Sequence, residues 1–539
     1  MGKTLNARPE AGDYTSSMTS EQATNHAAHA VSRDFPQSIP LLLWSVSFAI
    51  AYGQSPLFTS NQNQYFLHGL AKSGYGQLNQ DWLANTLDPT PVFSWLVWLV
   101  AETLPLATFY LVYGLLLATY FISLWLILDT IFNLRSNPFR THGSALLLVA
   151  MHSAALRFGL SQFLEPDAAY LIEGGVAGQR LLGSVLQPSS FGVLLITSIA
   201  VFLRQRRTLA IALAVTAATF HPTYLLSAAT LTASYLLIGY LEGIAFKETI
   251  KLAGLALLLV LPITLYTFSL FLPSSPGVWA DAARILVTER IPHHALPGQW
   301  FSWTTILKLS VLLFALELSR RTRLALILLI PSAIALGLTV LQLVTGSYRL
   351  ALLFPWRLST WLVPLSSGLA LFWSLRRLGE RIYFDTPAQL GWRGPLIVIL
   401  GLSLAGLGLF RTSELSQQQR AEAAQSLFQQ VRQRLEPGQT YLVPPKLQDF
   451  RLESGAPAFV DFKAIPYQDR ELLAWQERLR LAQFFYREDP AHINCDLLPR
   501  INSIESITHV VLEQDQFGLA CPGLKSIYSD ASFALFAYE

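Results

Sequence analysis

"NQNQYFLHGLAKSGYGQLNQDWLANTLDPTPVFSWL", residues 61–96, decides how the rest of this chain is read. It follows an apolar run at 39–55, is dense in amides, carries Asp81 and Asp88, and closes on a Pro-Thr-Pro turn. Tyr65, Phe66, Leu67, Leu70 and Ala71 are spaced to make one apolar helix face, with Asn61, Gln64, His68 and Lys72 turned elsewhere. Such a segment suits a helix lying flat on a membrane surface. A second short helix through "QDWLANTL" is expected to set Asp81 and Asp88 on one side, with Trp82 at the lipid headgroups. The prolines after Asp88 end that helix, because proline disfavours helical geometry before it and removes a donor.

The 539 residues are 52% hydrophobic, 12% aromatic and only 14% charged, well outside the usual soluble composition. An integral membrane protein is expected. The net charge of +3 is too small to point to nucleic acid, and the basic residues fall in short clusters between apolar runs. Steps of about 20 apolar residues give candidate spans at 39–55, 103–132, 142–160, 189–203, 208–220, 223–241, 252–272, 303–318, 324–343, 358–375 and 395–411, about eleven in all. Arg135 and Arg140, Arg204 with Arg206 and Arg207, Lys247 and Lys251, Arg320 with Arg321 and Arg323, and Arg376 with Arg377 and Arg381 occupy alternate loops. The positive-inside rule makes these loops cytoplasmic, and places the loop 56–92 and everything beyond 411 outside. Residues 1–38 are polar, lack the core of a secretory signal, and read as a disordered cytoplasmic tail.

After Arg411 the composition turns polar, so 412–539 is expected to be a soluble extracytoplasmic α/β domain following a transmembrane domain at 39–411. Helical periodicity fits 416–435 and 468–486, while "TYLVP", "PAFVDF", "THVVLE", "KSIYS" and "FALFAYE" are short β-rich runs. Cys495 and Cys521 both lie in this region, where an oxidising compartment permits a disulfide; two unpaired thiols are the other reading. A structural zinc site finds no support in their spacing.

Without a P-loop the chain does not read as a self-contained ATP-driven pump. The span centres are almost free of charge, which also counts against a transporter. Ionisable residues gather instead in the outer loops: Asp81 and Asp88, then Glu165, Asp167 and Glu173 ahead of Arg180, then Asp281, Arg284, Glu289 and Arg290, then Arg349 and Arg357. The two arginines of "GSYRLALLFPWRLS" suit paired, charge-assisted contacts to a lipid phosphate, though such groups also snorkel to headgroups. His293 and His294 titrate near neutral pH and could assist. His221 before a proline reads as a buried turn histidine, and Phe450, Arg451, Asp461 and Lys463 as strand packing.

The residues at this point resemble the GT-C membrane glycosyltransferases. Relatives that use a polyprenyl-phosphate sugar carry Asp-Glu-x-x-Tyr, then Gly-Asp-Trp, then Pro-Pro-Leu in the loop after the first span. Here the similar positions are Asn61-Gln62-Asn63-Gln64-Tyr65, then Gln80-Asp81-Trp82, then Pro89-Thr90-Pro91, so the family's leading acids stand as amides. The segments "GQRLLGSVLQPSSFGVLL", "TERIPHHALPGQW" and "LLFPWRLS" look like parts of uncharacterised bacterial multipass proteins.

The resemblance implies a GT-C-like, all-α polytopic domain in a bacterial inner membrane with a C-terminal α/β domain. It also implies an inverting transfer of sugar from a polyprenyl-phosphate donor to an outside acceptor, without cofactor or metal. Asp81, Asp88, Glu165 and Asp167 become the candidate catalytic acids, because an amide cannot usefully take the acceptor's proton. Arg349, Arg357, Arg290, His293, His294 and Tyr65 become the candidate phosphate and substrate contacts. Membrane lipid is the other expected partner. The competing reading, a non-catalytic lipid-binding or assembly factor for surface polysaccharide, rests on Asn61 and Gln62.

Overall fold

The computed structural model describes residues 35–136, 138–379, 392–486, 493–516 and 521–539, and among these not the side chains of residues 35–39, Asp167 and Asp515. The chain divides into residues 1–43 and a body at 44–539. Of the first unit, the described residues open the helix Phe35–Tyr52; the tail expected before residue 35 lies outside the described residues, and residues 35–38 are already helical.

The protein is mostly helical, and among the described residues six helices are long and apolar enough to cross a bilayer: Thr108–Phe132, Pro222–Leu241, Phe246–Leu270, Leu324–Thr345, Tyr348–Leu378 and Arg393–Arg420. Pro138–Met151 and Ala154–Phe163, bent by 47° at their junction, make a seventh if taken together. That is fewer than the eleven expected from apolar runs. The difference has a physical source: Pro40–Tyr52, Pro91–Thr103, Pro188–Leu203 and Arg207–Phe220 are apolar but short, and Trp303–Ser319 is short as well, at 17 residues. Prolines that start helices, where their missing N–H costs nothing, cut the apolar sequence into these shorter pieces. Tyr348–Leu378 is the most enclosed of the long helices and Phe246–Leu270 the least.

Helix Arg393–Arg420 runs past Arg411, so the polar stretch begins as a continuation of the last apolar helix. A second helix, Ala424–Arg434, leads to a four-stranded sheet of order β1-β2-β4-β3, with β1 at Tyr441–Leu442, β2 at His509–Glu513, β3 at Leu524–Ser529 and β4 at Phe533–Tyr538. β1 pairs parallel to β2, while β2 and β3 flank β4 antiparallel. Alternation along β2 sends Val510 and Leu512 to the side of Trp475, Leu479 and Phe485, and Val511 to the side of Leu427, Phe428 and Val431. The expected strand in "PAFVDF" reduces to a bridge between Tyr441 and Ala458. Cys495 and Cys521 form a disulfide with Cα atoms 5.4 Å apart.

The stretch 61–96 departs from expectation in two respects. Its apolar face, on the helices Gln62–Tyr65 and Leu67–Lys72, is buried in the protein: Phe66 lies 4.8 Å from the Phe109 ring and 5.8 Å from Phe93, centre to centre. The second helix does not form. Two 3-10 turns, Leu78–Gln80 and Leu83–Asn85, stand in its place, with Asp81 extended between them. The Asp81 carboxylate accepts the N–H groups of Leu83 at 2.9 Å and Ala84 at 3.3 Å, a local alternative to helical bonding. Trp82 faces the C-terminal region, under the Arg478 guanidinium at 4.2 Å. Gly76, at φ +59°, is required here because a Cβ would come within 2.3 Å of the Gly455 carbonyl oxygen.

Candidate anion-binding site

The amides of this loop make structural bonds. Asn61 donates to the Gln187 side chain at 2.7 Å, and Gln62 accepts the Phe58 N–H at 2.8 Å while donating to the Leu186 carbonyl at 3.2 Å. Asn63 donates to Asp449. Gln64 accepts the Ile465 N–H at 2.6 Å and donates to the Ile465 carbonyl at 3.0 Å. An amide supplies both a donor and an acceptor here, which a carboxylate cannot.

Asp81 is fully buried, and all its lone-pair directions are engaged. Beyond Leu83 and Ala84, its second oxygen accepts from Arg451 Nε at 2.6 Å and the Ala458 N–H at 2.9 Å. Arg451 also bonds Asp461 and the Ala458 carbonyl, the latter at 2.6 Å. Asp81, Arg451 and Asp461 thus form a buried charged triad that ties the loop to the segment after β1. The strand-packing role expected for Arg451 and Asp461 becomes an electrostatic one.

A second cluster assembles around the loop 173–180, "EGGVAGQR", which four side chains from elsewhere hold open. Lys308 Nζ donates to the Gly175 carbonyl at 3.0 Å, Ser359 Oγ accepts the Val176 N–H at 2.7 Å, and His294 Nδ1 bonds the Ala177 carbonyl at 2.6 Å. Arg357 Nη1 donates to the Gln179 side chain at 3.3 Å and Arg357 Nε to Thr223 Oγ1 at 3.1 Å. A Cβ on Gly175 would lie 2.5 Å from Ser359 Oγ, so only glycine lets this clamp close.

Arg357 also donates to His221 Nε2, which leaves the proton of this neutral, buried imidazole on Nδ1, where it has no partner. The Tyr65 ring meets His221 edge-on at 6.0 Å, and Tyr65 interacts through its hydroxyl with Tyr467. Arg290 donates to the Lys463 carbonyl at 2.7 Å and stacks over Phe462 at 5.1 Å; its Nε is buried without a partner. Arg180 lies over the Tyr170 ring at 3.9 Å. Tyr65, Arg357, Arg290 and His294 therefore converge with Gln179, Arg180, Lys463 and Tyr467.

The charges feel one another. Burial first, then His293, Arg357 and Arg180, push His294 down to about 3 against the opposing pull of its bond to Ala177. Burial and then Arg290 lower the Lys463 ammonium, opposed by Asp461 and Asp449. Burial pushes Tyr467 well up, followed by Tyr65, while Arg290 and Arg357 pull it back. Donors outnumber acceptors, so the arrangement suits an anion.

The remaining candidates lie elsewhere. Arg349 is exposed over the Trp279 ring at 4.5 Å, and His293 is exposed beside His294. Asp88 accepts the Thr90 N–H at 2.8 Å, and its carbonyl accepts the Tyr266 hydroxyl at 2.6 Å. Glu165 is half-buried at the start of a 3-10 turn, and the Asp167 side chain lies outside the described residues. Glu173 is buried against Tyr52 at 3.2 Å and Arg157 at 3.4 Å, with its Oε2 free of hydrogen bonds and 4.0 Å from His152 Nε2. Lys463 and Tyr467 were not foreseen as site residues; the signal that could have found them is a lysine and a tyrosine framing "AIPY" in an otherwise apolar connection.

Residues 422–482 match a family described as a domain of unknown function, DUF6798. This segment contains Arg451, Asp461, Lys463 and Tyr467. No curated protein matches the chain. Among solved structures, the archaeal oligosaccharyltransferase AglB from Archaeoglobus fulgidus, in complex with an inhibitory peptide and a dolichol-phosphate, is similar at 11% identity over 88% of this chain and 69% of that one. Its TM-score of 0.39 carries no argument about this protein.

Proposed function

We propose that this membrane protein recognises a lipid-linked phosphosugar through the cationic cluster and passes the sugar to an acceptor on the outer face. The convergence of Arg357, Arg290, His294 and Tyr65 supports this reading, together with the likeness of the 61–96 loop to those of membrane glycosyltransferases. The Cys495–Cys521 disulfide favours an extracytoplasmic position for the region after residue 411. In the transfer, the acceptor oxygen bonds the anomeric carbon as the carbon–oxygen bond to phosphate breaks. The electron pair leaves on the phosphate oxygen, which the arginines stabilise, and a carboxylate takes the acceptor proton.

Asp81 is saturated by four donors, so we assign the base to Glu173, whose Oε2 is unengaged. The same saturation of Asp81 favours a second reading, binding without transfer. Crosslinking of a photoreactive polyprenyl phosphate to the full chain in nanodiscs tests recognition: Arg357→Gln is expected to weaken binding about tenfold or more, the scale of a charge-assisted bond. Unchanged binding overturns the assignment. Glu173→Gln then separates the readings, since it abolishes transfer only if transfer occurs.

A further inference from the structure

We propose that the cluster is built for a diphosphate, so that the lipid-linked sugar it takes is joined through two phosphates rather than one. This rests on the recognition reading above and adds the class of its ligand. Arg180, Arg290, Arg357 and Lys463 are four cations around one site, and among the described residues none of them is in an ion pair with a carboxylate. The acids nearby other than Glu173 are committed elsewhere: Asp461 to Arg451, Asp449 to Asn63, and Glu289 to Arg284 and Gln476.

The cations also fall into two groups. Arg357 and Arg180 belong to the side of the 173–180 loop, where His294 and His221 sit. Arg290 and Lys463 belong to the side of the C-terminal segment, where Tyr467 bridges to Tyr65. Each group holds an N–H donor that is buried and unpartnered: His221 Nδ1 in the first and Arg290 Nε in the second. A buried donor left without an acceptor is destabilising, so the protein keeps two such donors at a cost that a ligand oxygen at each would relieve.

A sugar held by a single phosphate diester carries about one negative charge and one held by a diphosphate about two, rising by about one more on the lipid when the sugar leaves. A diphosphate puts one phosphate beside each pair of cations and matches the two-sided placement, which a single phosphate does not.

The test uses the full chain in nanodiscs with two probes, a long-chain polyprenyl phosphate and the matching diphosphate. The diphosphate is expected to bind about tenfold more tightly. Arg290→Gln is expected to close that gap by weakening only the diphosphate, and Arg290→Lys, which keeps the charge and guards against misfolding, to preserve most of it. Arg357→Gln is expected to weaken both lipids. Equal binding of the two lipids by the native chain overturns the diphosphate inference alone, whereas binding of neither overturns the recognition reading with it.

Discussion

Gln64 and Ile465 meet as a two-bond rung, the side-chain amide of one accepting the N–H and donating to the carbonyl of the other at 2.6 and 3.0 Å. A side chain here does what a neighbouring strand does in a sheet. Through this rung the short helix carrying Tyr65 is locked in register with the segment carrying Lys463 and Tyr467, so the site is assembled from opposite ends of the sequence.

Gln64→Leu leaves both backbone groups of Ile465 without partners and is expected to cost about 1–3 kcal/mol for each buried group. Limited proteolysis should register it as new cleavage near residues 459–467. Gln64→Glu is expected to fare little better, because a carboxylate keeps the bond to the N–H but faces the carbonyl with no donor. Native-like resistance in both variants would mean the rung contributes nothing.

Asp81→Asn removes one charge from a buried triad and leaves Arg451 with Asp461 alone. A loss of about 3–5 kcal/mol is expected. Thermal unfolding of the purified protein should show it as a lower midpoint, while the folded fraction still binds lipid phosphate. Abolished transfer with an unaltered midpoint would instead return Asp81 to a chemical role.

Burial holds His294 down to about 3, so it is neutral at physiological pH. A bound phosphate beside it favours the imidazolium and raises its pKa, so binding takes up a proton. Affinity for the lipid anion should therefore rise as pH falls through the raised, ligand-bound value and level off towards about 3, and His294→Gln should flatten that slope. Calorimetric titration in buffers of different ionisation enthalpy measures the uptake directly; none in the native protein counts against contact.

Cys495 and Cys521 are separated by 26 residues, and closing a loop of that order stabilises by about 3 kcal/mol through the unfolded chain. Replacing both with serine should lower the unfolding midpoint of the sheet region. The hydrogen bonds around Arg357 and His294 lie elsewhere, so lipid binding by the folded double variant should match the native protein.

The membrane character of the chain was legible because apolar composition speaks for itself, and the β-rich runs near residues 441, 510, 526 and 535 named all four strands. The number of spans is less legible, because prolines start new helices within long apolar stretches and leave shorter pieces. In the site, Arg357, Arg290, His294 and Tyr65 could be picked out as polar groups framed by aromatic residues and prolines. For Asp81, its type and neighbours suggest a base, but four donors engage it; Leu83 and Ala84 are local, while no local pattern reveals Arg451 and Ala458 so far along the chain. Lys463 was hidden for the same reason, since Arg290 meets it from a sequence distance of 173.

The distance between Gln64 and Ile465, 401 residues, also sets a timetable. Synthesis proceeds at about 5–20 residues per second, so the loop 61–64 waits roughly 20–80 seconds after it is made before its partner exists. Through that interval its amides are served by water or by a helper protein at the membrane. Assembly of the site is therefore a late event in the life of each new chain, and slowing translation between these two points lengthens the exposure of the amides of Asn63 and Gln64, whose partners lie in the C-terminal region.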